Sequence, residues 1–211
     1  MKFGDITHVD KQILKKTICE AASICENPVF VEVGINKART SQAIMKSLDL
    51  LRVKSKLICV DKSLYAQKSW KTKCQDRVGF CTSEFVLSDS WSFTPKEKNL
   101  AWVFIDACHC YECVKKDIEH WAPLVMSGGF LLFHDAAKSM MTRRNPKAYH
   151  NDNITRSVDV YKALEDWDCK DFIFYGKSDA ILDKRNRWKG STNVYQKDYV
   201  STHLDHSPLL P

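Results

Sequence analysis

Long hydrophobic runs are what this sequence of 211 residues most plainly lacks. Its longest apolar stretches, such as GGFLLF at 128–133, are strand-sized, far short of the ~20 residues that cross a bilayer. No membrane contact is expected. Residues 1–16, MKFGDITHVDKQILKK, lack the apolar core and small-residue cleavage site of a signal peptide. Internal repeats and low-complexity segments are also missing. Nine cysteines are many, but a chain this long, 44% hydrophobic, needs no disulfide framework. A reducing, cytoplasmic compartment with free thiols is expected. A second C-x2-C pair is missing too. Cys110 and Cys113 form one, with Cys108 and His109 adjoining, while Cys19, Cys25, Cys59, Cys74, Cys81 and Cys169 are scattered. Structural zinc sites usually take two such pairs. The thiols are therefore expected at tolerant loop and helix positions, not in a metal centre. The formal charge of +6 is mild and excludes little; a solvated surface accounts for it, with an anionic substrate or weak nucleic-acid contact as the alternatives.

What is present is a regular alternation. Residues 6–25 carry Ile6, Val9, Ile13, Leu14, Ile18 and Ala22 at helical spacing, and Pro28 follows. Then come buried-strand runs at PVFVEVG (28–34), KLICVD (56–61), EFVLSD (84–89), AWVFIDA (101–107) and GGFLLFHDA (128–136). Between them lie helical stretches at 40–51, 65–73 and 111–125. After a polar segment at 137–153, a helix at 155–167 precedes strands DFIFYG (171–176) and STNVYQ (191–196). Strands apolar on both faces, separated by helices, imply a parallel sheet covered on both sides. The expected fold is a Rossmann-like, doubly wound, mostly parallel seven-stranded sheet in one domain spanning 1–211. It comprises an N-terminal helix at 6–25, a core at 29–196 and a loose tail at 197–211.

Ligands of such sheets bind outside the carboxyl ends of the strands. There the sequence places Glu32-Val33-Gly34, Asp61, Ser88-Asp89-Ser90, Asp106 and His134-Asp135. An acid stands at each of five strand ends. The turn after the first strand, VEVGINKARTS, has one glycine where dinucleotide folds use three to bring amides to a pyrophosphate. An acidic edge would repel phosphate. It suits a ligand with hydroxyls and a positive centre, since carboxylates accept from ribose hydroxyls and face a sulfonium or ammonium.

On these residues the chain resembles the class I S-adenosylmethionine-dependent methyltransferases, in the branch of small-molecule O-methyltransferase-like and cephalosporin-hydroxylase-like proteins. The resemblance runs from about Phe30 to Leu164. It rests on VEVGINKARTS, LICVDKS, the LSDS turn and FIDACHCYECVKKDIEHWAPLVMSGGFLLFHDA. It implies that Glu32, Gly34 and the turn with Asn36, Ala38 and Ser41 line the methionine and ribose of S-adenosylmethionine. Asp61, with Lys62 beside it, would take the ribose hydroxyls, and Ser88, Asp89 and Ser90 the adenine. Asp106 would lie near the reacting methyl or the cofactor's amino group. Ala38 departs from the usual glycine. The family's final antiparallel strand is a place that STNVYQ could fill.

The resemblance also frames the chemistry. A sulfonium is already a good leaving group, so the protein mainly aligns the acceptor. His109 is the first candidate for the base that deprotonates an acceptor hydroxyl, and His134 the second. Asp106 and Asp135 complete the catalytic set. A divalent ion such as magnesium on Asp106, His134 and Asp135 is an open alternative, although histidine is less welcome to so hard an ion. Residues 137–153, with Arg143, Arg144 and Lys147 beside Met140, Met141 and Tyr149, are expected to close over a small anionic or sugar-like acceptor. Two other readings stay open. The run KRNRWKG (184–190) would suit a nucleic-acid methyltransferase, and the Ala38 turn a cofactor-binding module without transfer activity.

Overall fold

The computed structural model describes residues 6–97, 100–138, 159–179, 181–182, 188–189 and 191–198. The chain runs α1 (His8–Ala21), β1 (Val29–Val33), α2 (Arg39–Leu50), β2 (Ser55–Asp61) and α3 (Leu64–Trp70), which ends in a π-helical turn at Lys71–Gln75. It continues with β3 (Cys81–Leu87), β4 (Leu100–Ile105), α4 (Tyr111–Trp121), β5 (Val125–His134) and α5 (Val160–Glu165). The last strands are β6 (Phe172–Lys177), the short pair β7 (Ile181–Leu182) and β8 (Trp188–Lys189), and β9 (Thr192–Lys197). The expected lid at 137–153 lies outside the described residues from 139 on. So do the start of the 155–167 helix, most of the 184–190 basic run, and the tail beyond 198. Among the described residues no helix is long and apolar enough to cross a membrane.

Seven strands form one sheet in the order β3-β2-β1-β4-β5-β9-β6. The pairs from β3 to β5 are parallel. β9 runs antiparallel between β5 and β6, so the expected antiparallel last strand lies inside the sheet, not at its edge. The expected doubly wound sheet is therefore present.

Alternation of side chains along each strand builds two apolar layers. On one face Leu14, Ile18, Ile44 and Leu48 of α1 and α2 pack on Phe30, Leu57, Trp102, Phe104 and Phe130. On the other, Val114, Ile118 and Trp121 of α4 and Leu164 of α5 pack on Val31, Val103, Leu131 and Phe133. Each such side chain contributes about 1.5–3 kcal/mol on burial. α1 opens with a capping box, Thr7 against Asp10. It ends at Ala21, earlier than the periodicity predicts. Asn27, next to Pro28, takes φ 51°, in the left-handed region that asparagine adopts more readily than most residues.

The winding direction reverses between β1 and β4, which are hydrogen-bonded neighbours. From β1 the chain crosses to β2 through α2; from β4 it crosses to β5 through α4. A crevice must open at such a switch point, outside the carboxyl ends of the two strands.

Candidate functional site

The floor of that crevice is unusually tight. The Asp106 N–H donates to the Val33 carbonyl at 2.8 Å, and the Gly34 N–H donates to the Val60 carbonyl at 2.9 Å. A Cβ on Gly34 would lie 2.2 Å from the Asp106 carbonyl oxygen, and Gly34 has φ +88°. Only glycine satisfies both conditions. Asn36 (φ 45°) and Ala38 (φ 50°) follow in the left-handed region. Positive φ at alternate residues 34, 36 and 38 is the pattern that three alternating glycines would supply. The sequence hides it because asparagine and alanine hold two of the places. Ala38 is the N-cap of α2 and fully buried.

The strand-end acids meet three different fates. Asp61 holds the turn: the Ile35 and Asn36 N–H groups donate to its Oδ2 at 2.7 and 3.2 Å, and the Ser63 N–H donates to Oδ1 at 2.8 Å. Glu32 points into the helix layer, where the Ser41 hydroxyl donates to its Oε2 at 2.5 Å. Burial pushes the Glu32 carboxyl well above the usual range; the Ser41 hydrogen bond opposes this, and the nearby Asp106 and Asp61 charges reinforce it. Glu32 therefore holds its proton to higher pH than a free carboxyl. On the far side, Lys62 reaches Asp89 at 3.3 Å across the ends of β2 and β3, both side chains half-exposed. The Ser88 N–H donates to the Asp61 carbonyl. The Ser90 hydroxyl accepts from Trp121 Nε1 at 2.8 Å and so is turned toward α4.

The four residues expected to carry catalysis are gathered into one ring. His134 Nδ1 lies 3.1 Å from Asp106 Oδ1 and 3.6 Å from Asp135 Oδ1. His109 Nε2 lies 3.3 Å from the same Asp106 oxygen, and its Nδ1 lies 3.6 Å from Asp135 Oδ2. Burial alone would lower both imidazoles, but Asp106 and Asp135 outweigh it: His134 is raised well above its ordinary value, and His109 is raised. Burial would raise Asp106, yet the His134 and His109 charges hold it well below the carboxylate range. The ring thus sets two imidazoles between two carboxylates, each imidazole holding its proton more tightly than it would alone.

One participant was missed by sequence reasoning. Asp10, wholly buried in the first turn of α1, sits 3.8 Å from His134 Nε2, an ion pair rather than a hydrogen bond. It also accepts from the Ser178 hydroxyl, from the Ser191 N–H at 3.1 Å and from the Thr192 hydroxyl at 2.9 Å. The Thr7-x-x-Asp10 spacing marks a helix cap, but nothing in it signals partners 168 to 182 residues away.

The ring does not suit magnesium. That ion wants near-octahedral oxygen donors. Here one Asp106 oxygen already faces both imidazoles, and two of the four groups offer nitrogen rather than oxygen.

The three neighbouring thiols stand in the loop and first turn where they were expected, and they cluster. Cys108, Cys110 and Cys113 bring their sulfurs within 4.8 Å of one another, because Cys108 turns toward the N-terminus of α4 while His109 turns the opposite way to Asp106. None of the nine cysteines is in a disulfide. Next along α4, Asp117 is wholly buried with neither carboxylate oxygen hydrogen-bonded. Burial pushes it up to about 7; the nearby Ser90 hydroxyl pulls the other way, and the Cys110 charge adds a smaller rise.

A family model described as a methyltransferase domain matches residues 31–136, half of the chain. No curated protein matches the chain by sequence. Similar solved structures include the N-methyltransferase NodS from Bradyrhizobium japonicum WM9 in complex with S-adenosyl-L-homocysteine. It is 9% identical, with 92% of this chain and 89% of that one covered at a TM-score of 0.63. They also include the O-methyltransferase from Bacillus cereus in complex with S-adenosylhomocysteine, 12% identical over 91% of this chain and 82% of that one, at a TM-score of 0.62. At such identities the likeness speaks for the fold.

Proposed function

The chain belongs to the methyltransferase-domain family, within the class I S-adenosylmethionine-dependent methyltransferases, and on that premise we propose that it methylates a hydroxyl group of a small polar acceptor. The observation that carries the proposal is the His109–Asp106–His134–Asp135 ring at the carboxyl ends of β4 and β5, beside the switch point.

S-adenosylmethionine would lie over the 34–38 turn. Three of the roughly four lone-pair sites of the Asp61 carboxylate hold backbone amides. The one left, on Oδ1, is available to a ribose hydroxyl. The Lys62–Asp89 pair would edge the adenine side.

Bound there, S-adenosylmethionine would supply an electrophilic methyl group to the acceptor oxygen, with S-adenosylhomocysteine as the leaving product. The acceptor proton would pass to His109 Nδ1, whose 3.6 Å contact with Asp135 is too long for a hydrogen bond and can give way to the acceptor. The resulting imidazolium is stabilised by Asp106 and Asp135, which flank its two nitrogens. Because those carboxylates raise His109, it gives up its proton at higher pH than a free imidazole, and it can act as a base only once that proton is lost. The reaction should therefore quicken as pH rises through a value above the ordinary 6.5. His134 is more deeply buried and serves to hold Asp106 in place.

The test is labelled methyl transfer to a panel of small hydroxylated and amine acceptors, followed by a pH profile of kcat/KM. A rising alkaline limb in the native protein, lost in His109→Gln, supports the reading. A profile flat through that range, or transfer confined to amines, defeats it. The nucleic-acid reading gains no support from the described residues, since most of the basic run at 184–190 lies outside them.

A further inference from the structure

We propose that Cys108, Cys110 and Cys113 bind a soft divalent cation of the zinc type at the N-terminal end of α4, clamping the loop that presents Asp106 and His109. The proposal concerns structure around the site and does not depend on which acceptor is methylated.

Three observations carry it. First, the three sulfurs lie within 4.8 Å of one another, with Cys108 and Cys110 3.3 Å apart. Two thiolates each ~2.3 Å from a tetrahedral zinc are about 3.8 Å apart, so the observed spacing is that of a ligand set needing only small rotations. Second, the three come from a short segment with defined geometry. Cys110 is the N-cap of α4, and Cys113 lies in its first turn. Third, Asp117 stands four residues beyond Cys113 on the same helix face, wholly buried, with both oxygens lacking hydrogen-bond partners. Helical side chains lean toward the N-terminus, so Asp117 leans toward the thiols. A buried carboxylate without a partner is costly. A cation held by the thiols would offset that cost, with Asp117 acting on the ion from beside the three ligands.

The neighbouring histidine is not part of the set, because both its nitrogens face Asp106 and Asp135. This division of labour within Cys108-His109-Cys110 is what a clamp requires. Sulfurs on one side fix the loop, and the imidazole on the other is thereby presented to the reaction centre. On binding, sulfur–metal bonds replace the thiol S–H bonds, and the displaced protons leave to the buffer.

The experiment uses the full chain, reduced and stripped with a chelator, titrated with cobalt(II) and then with zinc in competition with a chromophoric chelator. A thiolate-to-cobalt charge-transfer band at one ion per chain, displaced by zinc, is expected. Cys110→Ser and Cys113→Ser should abolish the band. Asp117→Asn should weaken zinc binding by about 10–100-fold, the usual cost of losing a group beside a metal's ligands. Cys169→Ser should match the native protein. Because a serine variant could fail to fold, alkylation of the native chain followed by peptide mapping gives an independent reading: zinc should protect Cys108, Cys110 and Cys113 selectively. A native protein without the band, or equal alkylation of these thiols with and without zinc, overturns the site. Unchanged affinity in Asp117→Asn overturns the part assigned to that carboxylate. None of these outcomes depends on methyl transfer, so failure here is distinguishable from failure of the functional proposal.

Discussion

Gly34→Ala is the most exacting perturbation the structure offers, because two independent costs fall on one methyl group. The new Cβ would stand 2.2 Å from the Asp106 carbonyl oxygen, 2.5 Å from its carbon and 2.8 Å from Ala107 Cα. All three are backbone atoms and cannot swing aside. β1 and β4 would have to part just where the Asp106 N–H to Val33 carbonyl hydrogen bond joins them. Overpacking of this kind costs about 1–3 kcal/mol. The φ of +88° adds the left-handed penalty, about 1–2 kcal/mol for an L residue. Together the loss is about 2–5 kcal/mol, which for a chain of this size lowers Tm by about 4–20 °C. Because the turn also forms the proposed cofactor floor, affinity for S-adenosylhomocysteine should fall with it. Urea denaturation and calorimetric titration of the same variant measure both. Ala38→Gly is the matched control. It relieves about 1–2 kcal/mol of left-handed strain, but loses a buried methyl worth about 0.8 kcal/mol and about 0.4–1 kcal/mol of unfolded-state restriction. Its stability should lie within about 1 kcal/mol of the native protein. If Gly34→Ala kept native stability and affinity, or Ala38→Gly were the more damaging change, the account of this turn would be wrong.

Asp61→Asn should weaken S-adenosylhomocysteine binding by about 10–100-fold, since one amide oxygen cannot replace a charged acceptor serving both the turn and a ribose, worth about 1.5–3 kcal/mol; calorimetry decides, and unchanged affinity removes Asp61 from the pocket. Lys62→Ala should change stability by less than about 1 kcal/mol, because its partner Asp89 is half-exposed and solvent screens the pair; a larger loss in urea denaturation would mean that the pair does more than edge the site.

The sheet was legible because buried parallel strands write themselves as unbroken apolar runs. Phe30-Val31, Leu57-Ile58 and Phe130 to Phe133 feed both layers at once. β3 was predicted at 84–89 but spans Cys81–Leu87. Its first residues, Cys81-Thr82-Ser83, are not an apolar run and are recruited by pairing with Ser55, Lys56 and Leu57. The carboxyl-edge acids were legible as positions but not as partnerships. Sequence spacing cannot reveal that Glu32 turns inward to Ser41 while Asp61 collects backbone amides. The opposed orientations of Cys108 and His109 were illegible for the same reason. Adjacent residues leave the chain in different directions, and only the tertiary partners select which goes where.

The deepest consequence of those partnerships is a run of buried charge from α1 to the reaction edge: Asp10, His134, Asp106, His109 and Asp135. Removing one member of a buried, paired set leaves the others uncompensated, which costs about 3–5 kcal/mol. Asp10→Asn is the sharpest such cut, since an amide has one acceptor oxygen where the Thr7, Ser178, Ser191 and Thr192 donors need two. The pH dependence follows from the directions of the shifts. His134 is raised on folding, so its contribution is fully present below its ordinary value of 6.5 and is lost as pH rises through the raised folded value. Asp10 and Asp106 are held below their ordinary value of 3.8; their contributions are present above that value and fall away as pH drops through the depressed folded values. The contributions of His134, Asp10 and Asp106 are therefore all present between about pH 4 and 6.5, and that of His134 declines on the alkaline side, while Glu32 and Asp117, raised by burial, add a decline that begins at their lower ordinary values. In Asp10→Asn, His134 loses one of the carboxylates that raise it, so the alkaline decline should begin at lower pH and overall stability should fall. Urea denaturation across pH, with the His134 imidazole followed by NMR, measures both. An unchanged His134 titration in Asp10→Asn would show that α1 is not electrostatically joined to the methyl-transfer edge.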